Sequence, residues 1–203
     1  MSQKPMVTAL IFLIILIVLL VGAVFLGQWI KQGNTPEIEK RTYNNFVFTK
    51  QQDTWTTTWQ NNNKAYIIQL RNYPEEVELV PMTGEINLSL FNKKNISITF
   101  DPEKLENYKY VALTAGELGL NLNRAMGRTT EFTCTTNQTS VDLCKTITPV
   151  TCASEDRAVI MLEPTGPAEI TLQDNCIILS GADNELLRAT DKLLYIWYGI
   201  MRR

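Results

Sequence analysis

Acid–base chemistry in this chain of 203 residues has to come from carboxylates, because the sequence contains no histidine, the commonest general base and metal ligand. Glu117, Asp156, Glu163, Asp183, Glu185 and Asp191 are the candidates. A glycoside hydrolase needs two carboxyl groups facing each other across the scissile bond. Spacing along the chain assigns no such pair, and Asp183 has a sufficient role as a helix cap. No Gly-x-Ser-x-Gly elbow, P-loop or dinucleotide fingerprint occurs. No catalytic, cofactor-binding or metal-ligating residue is therefore assigned. Lys and Arg number 19 against 21 Asp and Glu, a net charge of −2 that offers nothing to nucleic acid.

Cys134, Cys144, Cys152 and Cys176 are separated by nine, seven and twenty-three residues, none of them the short pair that zinc ribbons or thioredoxin-like redox sites use. An even number of cysteines beside an export anchor reads as structural disulfides. Four cysteines allow three pairings. The favoured one closes the Thr-rich loop with Cys134–Cys144 and ties its exit to a core strand with Cys152–Cys176. On the chain-entropy estimate these contribute about 2.7 and 3.5 kcal/mol. Asn87-Leu88-Ser89, Asn95-Ile96-Ser97 and Asn137-Gln138-Thr139 are glycosylation sequons, meaningful if the domain is exported. Trp55 and Trp59 either stack a sugar ring or fill a buried sheet face. The Tyr195–Tyr198 run, at helical spacing, reads as core.

These residues need elements to position them. Phe46 and Phe48, then Thr54-Trp55-Thr56-Thr57-Thr58-Trp59, then Ala65–Leu70 alternate with period two, with Asn61-Asn62-Asn63 turning between the last pair; this predicts a β-meander with both tryptophans on one face. Ile86–Leu90 and Ile96–Phe100 read as further strands. Val111, Ala115, Leu118, Leu122 and Ala125/Met126 recur at helical steps and stop at Gly127. Gly116 and Gly119 inside that helix cost about 1 kcal/mol each against Ala, which points to close backbone approach to a sheet. Ala158–Leu162 and Cys176–Leu179 are continuous apolar runs, as in strands buried on both faces. Glu169–Leu172 alternates. A final helix runs from a cap at Asp183 along the stripe Leu186/Leu187, Thr190, Leu193/Leu194, Trp197 and Met201. The expected fold is α+β, one mixed sheet with two helices packed on it.

Between Lys4 and Lys31 lie 26 uncharged residues, enough helix to span a bilayer at ~1.5 Å per residue. The apolar stretch continues past the small residues Gly22 and Ala23, too long for the hydrophobic region of a cleaved signal peptide. The expected organisation is a transmembrane anchor over residues 1–30, touching lipid through residues 5–30, a stalk over 31–42 and one extracytoplasmic domain over 43–203. Cysteines and sequons place the N-terminus inside and the domain outside, a single-pass protein of the cell membrane.

The run Asp174–Gly181, the helix with Asp191 and the ending Leu194-Tyr195-Ile196-Trp197-Tyr198-Gly199-Ile200 resemble those of small archaeal exported proteins. The spacing Phe46…Trp55…Tyr66…Arg71…Pro74 and the Ala112…Ala115-Gly116-Glu117-Leu118 helix are similar too. The resemblance implies one N-terminal span, paired cysteines and an archaeal membrane surface, with no assigned activity. The expected function is non-enzymatic, a membrane-anchored domain that binds a partner protein or organises the envelope. The alternative is a surface module that binds or processes carbohydrate, decided by whether Trp55 and Trp59 are exposed beside carboxylates or buried.

Overall fold

The structure, a computed structural model, describes Leu13, residues 15–23 and residues 38–203. The chain divides into units Met1–Ile38 and Glu39–Arg203. In the first, Leu13 and residues 15–23 are helical. Among the described residues no helix is long and apolar enough to cross a membrane. The transmembrane anchor expected over residues 1–30 is corrected on this finding. With it go the lipid contact through residues 5–30, the single-pass cell-membrane location and the inside-to-outside topology. The other residues of that expectation, and 31–37 of the stalk, lie outside the described residues.

The second unit begins with an antiparallel meander, β1 (Lys40–Tyr43), β2 (Phe46–Gln51), β3 (Thr54–Asn61) and β4 (Lys64–Leu70), paired in chain order. Its first and last turns are two-residue Asn-Asn loops. Asn44, Asn45, Asn62 and Asn63 all have positive φ, the backbone that a type I′ hairpin turn requires and that Asn tolerates. The two-residue period puts Phe48, Trp55, Ile68 and Leu70 on the buried face, with Thr58 and Gln69 opposite in solvent.

A second sheet holds β5 (Met82–Ile86), β6 (Asn95–Phe100), β7 (Thr129–Cys134), β8 (Ala158–Glu163), β9 (Glu169–Asp174) and β10 (Cys176–Ser180) in the order β5-β9-β10-β8-β6-β7. Every pair is parallel except the β9–β10 hairpin. Helices α1 (Pro74–Val77), α2 (Leu88–Phe91), α3 (Tyr108–Arg124), α4 (Asp142–Lys145) and α5 (Asn184–Trp197) complete the unit. The fold is α+β, with a mixed sheet and packed helices as expected, but the single sheet is corrected to two. α5 packs on β9 and β10, and its far side meets the meander, where the rings of Phe48 and Tyr195 lie 5.9 Å apart. A helix covered on two sides buries most of its circumference: every residue from Ala189 to Tyr195 is buried, including Thr190, Asp191 and Lys192, whose polar groups then need partners within the fold.

Three local readings change. The strand expected at Ile86–Leu90 stops at Ile86, because the Asn87 side chain accepts from Ser89 N and caps α2. Asp183 precedes α5 but makes no side-chain cap hydrogen bond. A Cβ at Gly119 would stand 2.9 Å from Phe132 Cζ of β7, the close approach expected, whereas one at Gly116 would meet nothing within 4 Å. Two disulfides are present, Cys134–Cys144 and Cys152–Cys176. The second fastens the long β7–β8 connection to β10, beside a small apolar cluster of Val150, Val159, Met161 and Ile178.

Candidate functional site

Two of the six candidate carboxylates, 74 positions apart in sequence, come together where α3 crosses α5. Asp191 sits on the face of α5 that looks at the end of β4. Its Oδ2 accepts from Arg71 N (3.1 Å), Asn72 N (2.7 Å) and Asn72 Nδ2 (2.8 Å). One turn later on the same face, Tyr195 OH donates to Asn72 O at 2.6 Å. Glu117 reaches in from α3, with its Oε2 3.5 Å from Arg71 Nε. Asp191 is wholly buried, and the Glu117 side chain is 9% exposed.

Two carboxyl groups this close cannot both ionise cheaply in a dry setting. Burial, then the charge and hydrogen bond of Asp191, push Glu117 up to about 9 against the opposing pull of Arg71. Burial also raises Asp191, but only to about 6, because its hydrogen bonds from Asn72 stabilise the anion. Both shifts run in the same direction, so the buried pair holds protons that the two carboxyls would release in water, and Glu117 is raised the more. Arg71 Nε, Glu117 Oε2 and Asp191 Oδ1 are buried atoms without a conventional hydrogen-bond partner.

This pair is not arranged as a glycosidase needs, with room for a sugar between the groups. Asp191 is closed to any substrate, and only Glu117 borders solvent, at the base of a groove of about 370 Å³ lined also by Gln69, Arg71, Gly116 and Leu120. Of the other four, three form ion pairs, Glu163 with Lys104 (3.0 Å), Glu185 with Arg188 (3.0 Å) and Asp156 with Arg157 (3.5 Å), and Asp183 is exposed at the start of α5.

The tryptophans separate. Trp55 is buried, 4.8 Å from the Tyr73 ring, with the Arg41 guanidinium 5.2 Å from its ring centre. Trp59 is half-buried. Its indole N–H donates to Tyr198 O at 2.9 Å and its ring lies 4.9 Å from that of Tyr198. The two do not form a joint exposed platform. Trp59 instead walls a pocket of about 260 Å³ with Phe91, Ile96, Leu122, Met126 and Trp197, and Asn61, Asn92 and Arg128 are its polar members. Arg128 Nη1 is already committed to Asn92 O and Lys93 O. Leu187 and Leu194 of the expected α5 stripe are buried, as are Tyr195 and Tyr198, but Trp197 is half-buried and faces this pocket. The sequon residues Asn87, Asn95 and Asn137 are all exposed.

Arg71 entered the sequence reading only through spacing, and the contributions of Asn72, Phe91 and Tyr195 were missed. One signal was available: Asp191 lies four residues after Leu187 and three before Leu194, an acidic residue inside a buried stripe, which demands a partner.

The arrangement defines an α+β domain with an antiparallel and a mixed sheet and α5 packed between them, carrying a buried carboxyl pair and a separate aromatic pocket. No protein-family model, curated protein or solved structure matches the chain. The resemblance to archaeal exported proteins is corrected accordingly. Its paired cysteines are present as two disulfides, but its membrane span is not found among the described residues.

Proposed function

We propose that the domain is a protein-binding module that takes an apolar side chain of its partner in the pocket between Trp59, Phe91 and Trp197. The observation that carries this reading is how the pocket's polar groups are spent. The Trp59 indole N–H and the Arg128 guanidinium are engaged within the domain, so the interior selects by shape and apolar contact. A sugar ring would bring hydroxyls that find too few partners there, and unmet buried polar groups cost about 1–3 kcal/mol each. An apolar side chain needs none. The Asn61 and Asn92 amides suit the peptide backbone that carries it, and Leu88, 63% exposed, extends the apolar wall outward. Buried aromatic anchors of this kind dominate binding energy at protein interfaces.

The test is an NMR titration of the Trp59 and Trp197 indole N–H signals. N-acetyl-leucine amide and N-acetyl-phenylalanine amide should shift both, methyl glucoside should shift neither, and Leu88→Asp should weaken the response. Selective shifts with the glucoside, or none with the amides at millimolar concentration, would overturn the reading.

A further inference from the structure

We propose that the groove between the meander and α3 is a second binding site, for a small organic monocarboxylate whose anion is held by Arg71 and whose apolar body lies over Gly116. The proposal is independent of the aromatic pocket.

Three observations carry it. The first is an uncommitted cation. Arg71 is 37% exposed in its side chain, and its acidic neighbour is Glu117 at 3.5 Å. That contact is long and runs through Nε alone, so it leaves the outer edge of the guanidinium free. Among the described residues, the terminal amino groups of Arg71 make no hydrogen bond or ion pair, although a guanidinium fork matches a carboxylate in two parallel bonds.

The second is the groove's base. The Glu117 side chain is more than nine-tenths buried, borders the groove and has its Oε2 without a conventional partner. The third is Gly116. A glycine in mid-helix weakens the helix, and packing does not call for this one, since a Cβ there would meet nothing within 4 Å. The empty space above it is the groove itself. Ala112 and Leu120 flank that space, and Leu120 is 56% exposed.

Charge selects the ligand class. One guanidinium supplies one positive charge, and the other ionisable group lining the groove is the acidic Glu117. A monoanion is accommodated, whereas a phosphate dianion would add charge that nothing in the groove answers. The same carboxylate could belong to a free short-chain acid or to the C-terminus of a peptide.

The experiment is calorimetric titration of the full chain with 4-methylpentanoate, with its amide, with a pentapeptide ending in a free Leu carboxylate and with the C-terminally amidated form of that peptide. At least one carboxylate should bind ten-fold or more tightly than its own amide, and which one does identifies the source. Gly116→Leu should abolish binding while the melting temperature holds or rises. Leu120→Glu, on the exposed wall, should weaken binding at least five-fold through repulsion and serves if the first variant fails to fold. Equal binding of acid and amide, no binding by either carboxylate at 10 mM, or undiminished affinity in a folded variant would overturn the proposal.

Discussion

Trp55 and Trp59 stand four residues apart on the same face of one strand, yet they serve opposite ends of the contact between the meander and α5. At the Trp55 end the inner face of the junction is polar and closed, with the groove of Arg71 on its outer side: Arg71 and Asn72 deliver three N–H donors to Asp191, and Tyr195 returns a hydrogen bond to Asn72 O. At the Trp59 end a single indole hydrogen bond to Tyr198 O is backed by aromatic contacts, and a pocket is left open. The difference teaches where fixation and recognition are built. Directional bonds to a buried charge fix the angle and register of two layers. Loosely filled aromatic contacts leave space for something else.

The largest effect should come from breaking the closed end. Asp191→Ala would leave three N–H donors without their acceptor, at a cost of about 3–5 kcal/mol, read as a lower midpoint in urea unfolding. A loss below about 1 kcal/mol would mean that this cluster does not hold the meander in place.

Truncating the tryptophans compares the ends directly. Trp55→Ala should cost about 3–5 kcal/mol, as for a buried large side chain, and Trp59→Ala about 1–2 kcal/mol, for partial burial and one hydrogen bond. Equal losses in thermal unfolding would erase the distinction between a closed and an open end.

The carboxyl pair gives the closed end a pH dependence of definite sign. Both carboxyls are raised, Glu117 to about 9 and Asp191 to about 6. Below the unfolded values near 4 both states are protonated and the pair carries no ionisation penalty. As pH rises the unfolded chain releases protons that the folded domain retains, so stability falls. It falls from about pH 4 to 6 through both groups and on toward pH 9 through Glu117 alone. The midpoint of urea unfolding should therefore fall steadily between pH 5 and pH 8. Glu117→Gln should flatten the limb above pH 6, and an unchanged slope would show that the proton is held elsewhere.

The smallest effect separates two glycines of α3. Gly116→Ala should stabilise by about 1 kcal/mol, because the helix gains and nothing is displaced. Gly119→Ala should be neutral or destabilising, because its Cβ would stand 2.9 Å from Phe132 Cζ. Melting temperatures that move together would mean that Phe132 yields freely.

Much of the fold was readable because its determinants are local. Alternation marked β2 to β4, the apolar runs marked β8 and β10, and the helical steps from Val111 to Leu122 and from Leu186 to Trp197 marked α3 and α5. The Ile86–Leu90 alternation misled because Asn87 turns its own backbone, a side-chain effect that hydrophobic pattern does not register. The uncharged N-terminal run misled in another way. It recorded how apolar the segment is, and among the described residues no helix is long and apolar enough to cross a membrane.

What the sequence determined by itself is therefore periodicity, turn chemistry and an even set of cysteines: the kinds of elements and the means to cross-link them. Tertiary structure alone decided which tryptophan was buried, which two of six carboxylates met, and that α5 would lie between two sheets. The physical reason is range. Backbone period and turn preference act over a few residues, so they leave a one-dimensional record. The partnership of Glu117 with Asp191 depends on α3 and α5 being packed together and on the end of β4 delivering Arg71 and Asn72 to the same point.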